Sequence, residues 1–179
     1  VLRIHDPISY ANPAPGVNTY LNFDYTGAQG LELQVRGRTA ALSVEGSLSY
    51  ARAKDREAAF YRVEGAEGYH VGFAPLKAAL QVQWRFAEGW SFNPSWIQYG
   101  PRYGYRQGQT TPSRFGGTGL LDLYLTRALT EGLELGARVG NVTAAEVPFI
   151  QPYGIPGVGG NPPLPGPGRE VDLHLSFRF

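Results

Sequence analysis

The chain closes with the stretch GREVDLHLSFRF, Gly168–Phe179, in which polar and apolar residues alternate strictly from Glu170 onward. Because successive side chains of a β-strand point to opposite faces, this alternation predicts a strand with one apolar and one polar face. The apolar face would carry Val171, Leu173, Leu175, Phe177 and Phe179. The polar face would carry Glu170, Asp172, His174, Ser176 and Arg178.

The same period of two recurs along the chain. It is found in residues 21–36, 42–50, 80–86, 90–96, 121–126 and 133–139. With a shorter segment near residues 1–10 and the closing stretch, the sequence predicts about eight strands in one domain over residues 1–179. Several strands have roughly nine to eleven alternating residues, the length that a tilted strand needs to cross a bilayer. The 24 glycines and 14 prolines suit many strands joined by turns.

The predicted connections alternate between short and long. Short turns are expected near residues 38–40, 87–89 and 130–132, and long external loops near residues 55–73, 100–118 and 146–168. This alternation is typical of an up-and-down antiparallel sheet whose two ends differ, as in outer-membrane barrels with short periplasmic turns and long external loops. The sequence therefore predicts an all-β transmembrane barrel.

Alternation alone does not say which face points outward, and a soluble lipocalin-like barrel would show the same period with its apolar face inside. The apolar face is nearly free of charge, which favours contact with outer-membrane lipid. The opposite face carries charges of both signs, which we expect to form a network across the lumen. Its predicted members are Glu32, Arg36, Glu45, Arg85, Glu134, Arg138, Glu170, Asp172, His174 and Arg178. Aromatic residues cluster at strand ends, as is typical of a membrane interface.

The composition excludes several kinds of site. The chain has no cysteine, which excludes thiol catalysis, cysteine-ligated zinc and disulfides. Its formal net charge of +1, with acids and bases mixed, lacks the basic stripe that nucleic-acid binding needs. The three histidines have no metal-ligand spacing, and no serine lies in a G-x-S-x-G setting. We predict no catalytic, cofactor-binding or metal-binding residue, and therefore no enzyme.

Two of the long loops are candidates for ligand contact. Residues 154–168 are too rich in proline and glycine for a regular strand or helix, and the loop that begins near Tyr99 combines tyrosine with arginine. Long loops on a rigid scaffold often carry binding residues, and arginine with tyrosine would suit an anionic or aromatic chelate. The candidate contacts are Tyr99, Arg102, Tyr103, Tyr105, Arg106 and Tyr153.

Several stretches together resemble the C-terminal barrel portion of TonB-dependent outer-membrane receptors. Gly30–Leu33 reads GLEL, similar to a recurrent strand of that family, and residues 74–86 resemble its next descending strand. Residues 120–148 are similar to its penultimate hairpin, including the Asn-Val-Thr of residues 141–143. Residues 167–179 resemble its terminal strand. The likeness spans nearly the whole chain.

The resemblance implies a bacterial outer-membrane location and a part in the uptake of a scarce nutrient such as a ferric siderophore. It also implies that Phe179 contributes to the signal read by the outer-membrane assembly machinery. A TonB-type energising partner is implied only if an N-terminal part exists, because the family's plug, energising segment and about fourteen further strands are not in this sequence. Since the chain contains no methionine, we expect something upstream of Val1 to have been removed.

One alternative therefore stays open. The chain could be an eight-stranded outer-membrane barrel closed on its own, with a structural, anchoring or surface-interaction role. Eight strands can close a barrel whose interior is filled by side chains. The sequence also departs from the family pattern at Val147, where a tyrosine is often found before the proline.

Overall fold

The structure is a computed structural model that describes residues 2–5, 8–14, 17–22, 25–54, 62–151, 154–155 and 159–178. All regular elements in these ranges are strands, as the two-residue period predicts. They are β1 (Leu2–His5), β2 (Ile8–Ala14), β3 (Val17–Asn22), β4 (Tyr25–Arg38), β5 (Leu42–Ala53), β6 (Leu76–Ala87), β7 (Trp90–Phe92), β8 (Ser95–Tyr99), β9 (Arg102–Gly104), β10 (Ser113–Phe115), β11 (Thr118–Thr130), β12 (Leu133–Gly140), β13 (Gly154–Ile155), β14 (Gly159–Gly160) and β15 (Glu170–Phe177).

One antiparallel sheet dominates the fold. Its order is β1-β4-β5-β6-β7-β11-β12-β15, and β8 also lies between β6 and β11. Strands β7 and β8 thus form one interrupted strand, broken at Asn93 and Pro94. These nine strands occupy eight positions, in agreement with the predicted number. Strands β1 and β15 are the two edges of the sheet in the described part of the chain, and they do not pair with each other.

Two- and three-residue turns join the strands at one end of this sheet. They are residues 39–41, 88–89 and 131–132, as the sequence predicts. In the second, Gly89 has a φ of 70°, a conformation that glycine adopts without strain. The connections 54–75, 100–117 and 141–169 all lie at the other end, which we call the long-loop end. They contain the hairpins β9–β10 and β13–β14. The connection between β1 and β4 lies at this end too and contains the hairpin β2–β3. The prediction of one strand over residues 21–36 is therefore wrong at its start, because residues 21 and 22 pair with β2.

The register sorts the side chains of the large sheet into two faces. Leu33 pairs with Leu48, and Leu125 pairs with Ala137, which in turn pairs with Leu173. The resulting apolar face is uncovered in the described residues, so that Leu173 is 78% exposed. The buried hydrophobic residues lie elsewhere, in the connections of the long-loop end: Val63, Val71, Ala74 and Val147. A soluble carrier would cover its apolar face, whereas a lipid-facing wall leaves it open.

The described residues contain no helix that is long and apolar enough to cross a membrane.

Candidate functional site

Arg102 joins two connections at the long-loop end. Arg102 is the first residue of β9. Its Nη2 donates to the carbonyl oxygen of Pro148 at 2.9 Å and to Thr118 Oγ1 at 3.5 Å. The guanidinium also lies 5.2 Å from the ring centroid of Tyr99, at the end of β8. Only 8% of Arg102 is exposed, and this burial lowers the pKa of the guanidinium. Arg102 therefore ties residues 100–118 to residues 146–168 from within.

The other candidate contacts of this loop lie nearer the surface. The Tyr103 ring meets that of Tyr69 edge to face at a centroid distance of 5.2 Å. Tyr105 is half-buried, and Arg106 is exposed with its guanidinium 4.8 Å from the Phe115 ring centroid. Of the predicted set, Arg106 thus offers the most accessible cation. Tyr153 lies outside the described residues.

Asn141 is a second fixed point of the long-loop end. It is 3% exposed and follows β12 with a φ of 47°. Its Nδ2 donates to the carbonyl oxygens of Ala145 at 2.9 Å and Pro167 at 3.0 Å, while its Oδ1 accepts from the Ala145 N–H at 2.9 Å. Its own N–H donates to Asp122 Oδ1 at 2.8 Å. One side chain therefore holds both ends of the long connection between β12 and β15.

The polar face of the sheet carries an ion network centred on Arg138. Its guanidinium donates to Asp122 Oδ2 at 2.7 Å, to Asp172 Oδ2 at 3.0 Å and to Glu170 Oε2 at 3.5 Å. These four side chains come from three adjacent strands, β11, β12 and β15. The network brings together three of the ten predicted lumenal residues and adds Asp122.

Other predicted members of the polar face form smaller groups. Arg36 pairs with Glu45 across β4 and β5 at 2.8 Å, and Gln34 donates to Glu32 at 3.2 Å. The His174 ring stacks on that of Tyr124 with a 2.5 Å contact between Nε2 and the hydroxyl oxygen.

The remaining predicted positions stand apart from these groups. In the described part of the chain, three of them have no ion pair within 4.0 Å: Arg85, Glu134 and Arg178. Phe179 is outside the described residues.

The list of candidate residues made from sequence lacked Asp122, Tyr124 and Asn141. The alternation of residues 121–126 places Asp122 and Tyr124 on the polar face, so the sequence pattern is sufficient to include both. Asn141 lies in the Asn-Val-Thr stretch that marks the family resemblance, but its bonds to Ala145 and Pro167 depend on the path of a long loop. The described residues contain no group of three or more histidine, aspartate or glutamate side chains that could hold a metal ion.

Comparisons with known proteins agree with this architecture. A model of the TonB-dependent receptor-like β-barrel family matches residues 2–142. No curated protein sequence gives a significant match.

Solved structures resemble the whole chain at low sequence identity. The ferric-catecholate import receptor Fiu of Escherichia coli K12 is 18% identical, with a TM-score of 0.75 over 99% of this chain and 24% of the receptor. The ferripyoverdine receptor of the Pseudomonas aeruginosa outer membrane is 11% identical, with a TM-score of 0.72 over 98% of this chain and 23% of the receptor. The copper transporter OprC is 19% identical, with a TM-score of 0.65 over 99% of this chain and 27% of the transporter. The chain thus spans about a quarter of the length of these proteins.

Proposed function

Because the chain belongs to the TonB-dependent receptor-like β-barrel family, we propose that it supplies the last part of the wall and external loops of a receptor that imports a scarce nutrient chelate. Barrels of this family reside in the bacterial outer membrane, and they are transporters rather than enzymes. The exposed apolar face of the sheet accordingly contacts lipid, and the polar face lines the lumen.

The observation that carries the proposal is the ordered arrangement of the long-loop end. Arg102 holds residues 100–118 against Pro148, and Asn141 holds both ends of the β12–β15 connection. In the β9–β10 hairpin, the guanidinium of the exposed Arg106 lies beside the ring of Phe115. A cation next to an aromatic ring suits an anionic ligand with flat rings, since it offers both charge and a stacking surface.

The ligand class is the finer part of the proposal. Two of the solved relatives are named for ferric chelates and one for copper. The exposed Arg106 beside the Phe115 ring suits an anionic organic chelate better than a bare cation. We therefore expect a ferric chelate such as a siderophore, with Arg106, Tyr105 and Tyr103 among the contacts. Tyr153, which lies outside the described residues, stays in this set from the sequence prediction.

Transport also requires partners. A TonB-type energising protein would act on parts of the receptor outside this segment, and the outer-membrane assembly machinery would read the terminal strand, with Phe179 as part of its signal. Both partners are expected from family membership.

The test uses the full-length protein in cells that lack other routes for iron uptake, with a radiolabelled ferric catecholate as the probe. Arg106→Ala should weaken uptake roughly tenfold at low ligand concentration, since a charge-assisted contact contributes on the order of 1.5 kcal/mol. Arg62→Ala is the matched control, because Arg62 is also an exposed arginine of the long-loop end but lies in the connection 54–75, outside the proposed contact set.

Three outcomes are informative. Weaker uptake by Arg106→Ala alone supports a direct contact between Arg106 and the ligand. Equally weaker uptake by both variants would mean that the arginines only attract an anion without contacting it specifically. Wild-type protein that imports neither the ferric catecholate nor copper would favour the alternative, a barrel with a structural or surface-interaction role.

A further inference from the structure

One arginine lies on the lipid-facing side of the sheet near the short turns. Arg127 pairs with Trp90 on one side and Leu135 on the other, so it shares their face. It is exposed, and its guanidinium carbon lies 5.0 Å from the centroid of the Trp90 ring. A cation over an indole face is attracted by the negative potential of the ring.

Two more aromatic rings continue from Trp90 along the same face. Phe86 lies 6.1 Å from Trp90, and Trp84 lies 5.4 Å from Phe86, measured between ring centroids. Trp84 and Phe86 are both exposed. We call Arg127, Trp90, Phe86 and Trp84 the Trp90 cluster. It combines one cation with a continuous apolar surface.

The charge of Arg127 has no counter-ion among the residues that the structure describes. No carboxylate of the described residues lies within 4.0 Å of its guanidinium, although Glu88 and Glu131 occupy the neighbouring turns. A guanidinium on an apolar surface is unfavourable unless it reaches water or an anion. Its long side chain can extend along the ring towards the membrane surface, where such an anion is available.

The depth of the cluster identifies the anion. Arg127 is three residues from the end of β11 at the turn 131–132, and Trp90 directly follows the turn 88–89. Short turns of outer-membrane barrels face the periplasm, so this depth corresponds to the headgroups of the inner leaflet. We propose that the Trp90 cluster binds a phospholipid of the inner leaflet, with Arg127 donating to the phosphate and the rings contacting the upper acyl chains.

The test measures lipid retained by the full-length protein in detergent, using native mass spectrometry with added phosphatidylglycerol. Arg127→Gln should retain about fivefold less phosphatidylglycerol than wild type, since one basic residue near a membrane surface contributes about 1 kcal/mol. Arg38→Gln is the matched control. Arg38 is also an exposed arginine at the short-turn end, but its pairing with Ser43 places it on the polar face.

Two results would overturn the proposal: equal loss in both variants, or wild-type protein that retains diacylglycerol as well as phosphatidylglycerol. The second would reduce the cluster to apolar contact without phosphate recognition. If Arg127→Gln does not assemble, Trp90→Leu provides the comparison, because it keeps the charge and removes the ring beneath it. A loss of about twofold or more supports the cluster, and unchanged retention refutes it.

Discussion

At the scale of single residues, Asn141 and Gly136 show how backbone and side-chain constraints coincide. Asn141 adopts a positive φ, which asparagine tolerates better than most residues. Its side-chain amide makes three hydrogen bonds with backbone groups of Ala145 and Pro167. Gly136 lies directly under the His174 ring, in a place where a Cβ atom would collide with the imidazole. Both positions therefore depend on the identity of the residue.

Replacing Asn141 separates its two roles. Asn141→Gly should lower the free energy of unfolding by about 2–3 kcal/mol, because buried backbone groups of Ala145 and Pro167 lose their partners. Asn141→Ala should cost about 1–2 kcal/mol more, since alanine is strained at a positive φ. Urea unfolding of the full-length protein in detergent micelles measures both.

Ala144→Gly is the control for this pair. Ala144 has a φ of 51° and its side chain takes part in no hydrogen bond, so glycine there should be neutral or stabilising. Equal stability of Asn141→Gly and wild type would contradict a structural role for the amide.

At the scale of strands, the sequence predicts faces better than it predicts partners. An alternating pattern fixes which face a residue occupies, since a slip of one residue would move every side chain to the other face. A slip of two residues keeps the faces, so the pattern could not show that Arg138 lies opposite both Tyr124 and Asp172. The number of strands and the short turns were predictable for this reason, whereas the network around Arg138 was not.

The network makes a prediction at this scale. Arg138→Gln should lower the urea midpoint more than Arg36→Gln, because it leaves three carboxylates without their shared cation. Among the described residues, Arg36 pairs only with Glu45, and its side chain is 71% exposed. Adding Asp172→Asn to Arg138→Gln should restore part of the loss, since it removes one of the repelling charges. Similar midpoints for Arg138→Gln and Arg36→Gln would show that the three carboxylates are stabilised by water alone.

At the scale of the whole molecule, contacts between loops could not be predicted from the sequence. Arg102 is a predicted ligand contact because it lies in a long loop that combines arginine with tyrosine, yet it donates to the carbonyl oxygen of Pro148, 46 residues away, and is buried. No local pattern encodes a contact of that separation. Arg106, four residues further along the same loop, is exposed. Residue type predicts which loop contacts a ligand, and packing decides which of these two arginines faces outward.

The open sheet gives the last prediction. Strands β1 and β15 are unpaired edges in the described residues, and lipid cannot satisfy the backbone groups of an exposed edge. Residues 1–179 refolded alone in detergent should therefore form oligomers or aggregates in size-exclusion chromatography and show no heat-dependent shift on gels, whereas the full-length protein should show that shift. A monodisperse, heat-modifiable monomer of residues 1–179 would contradict this expectation. It would mean that β1 and β15 pair to close an eight-stranded barrel. The hypothesis of a barrel closed on its own would then be favoured over that of a segment of a larger receptor.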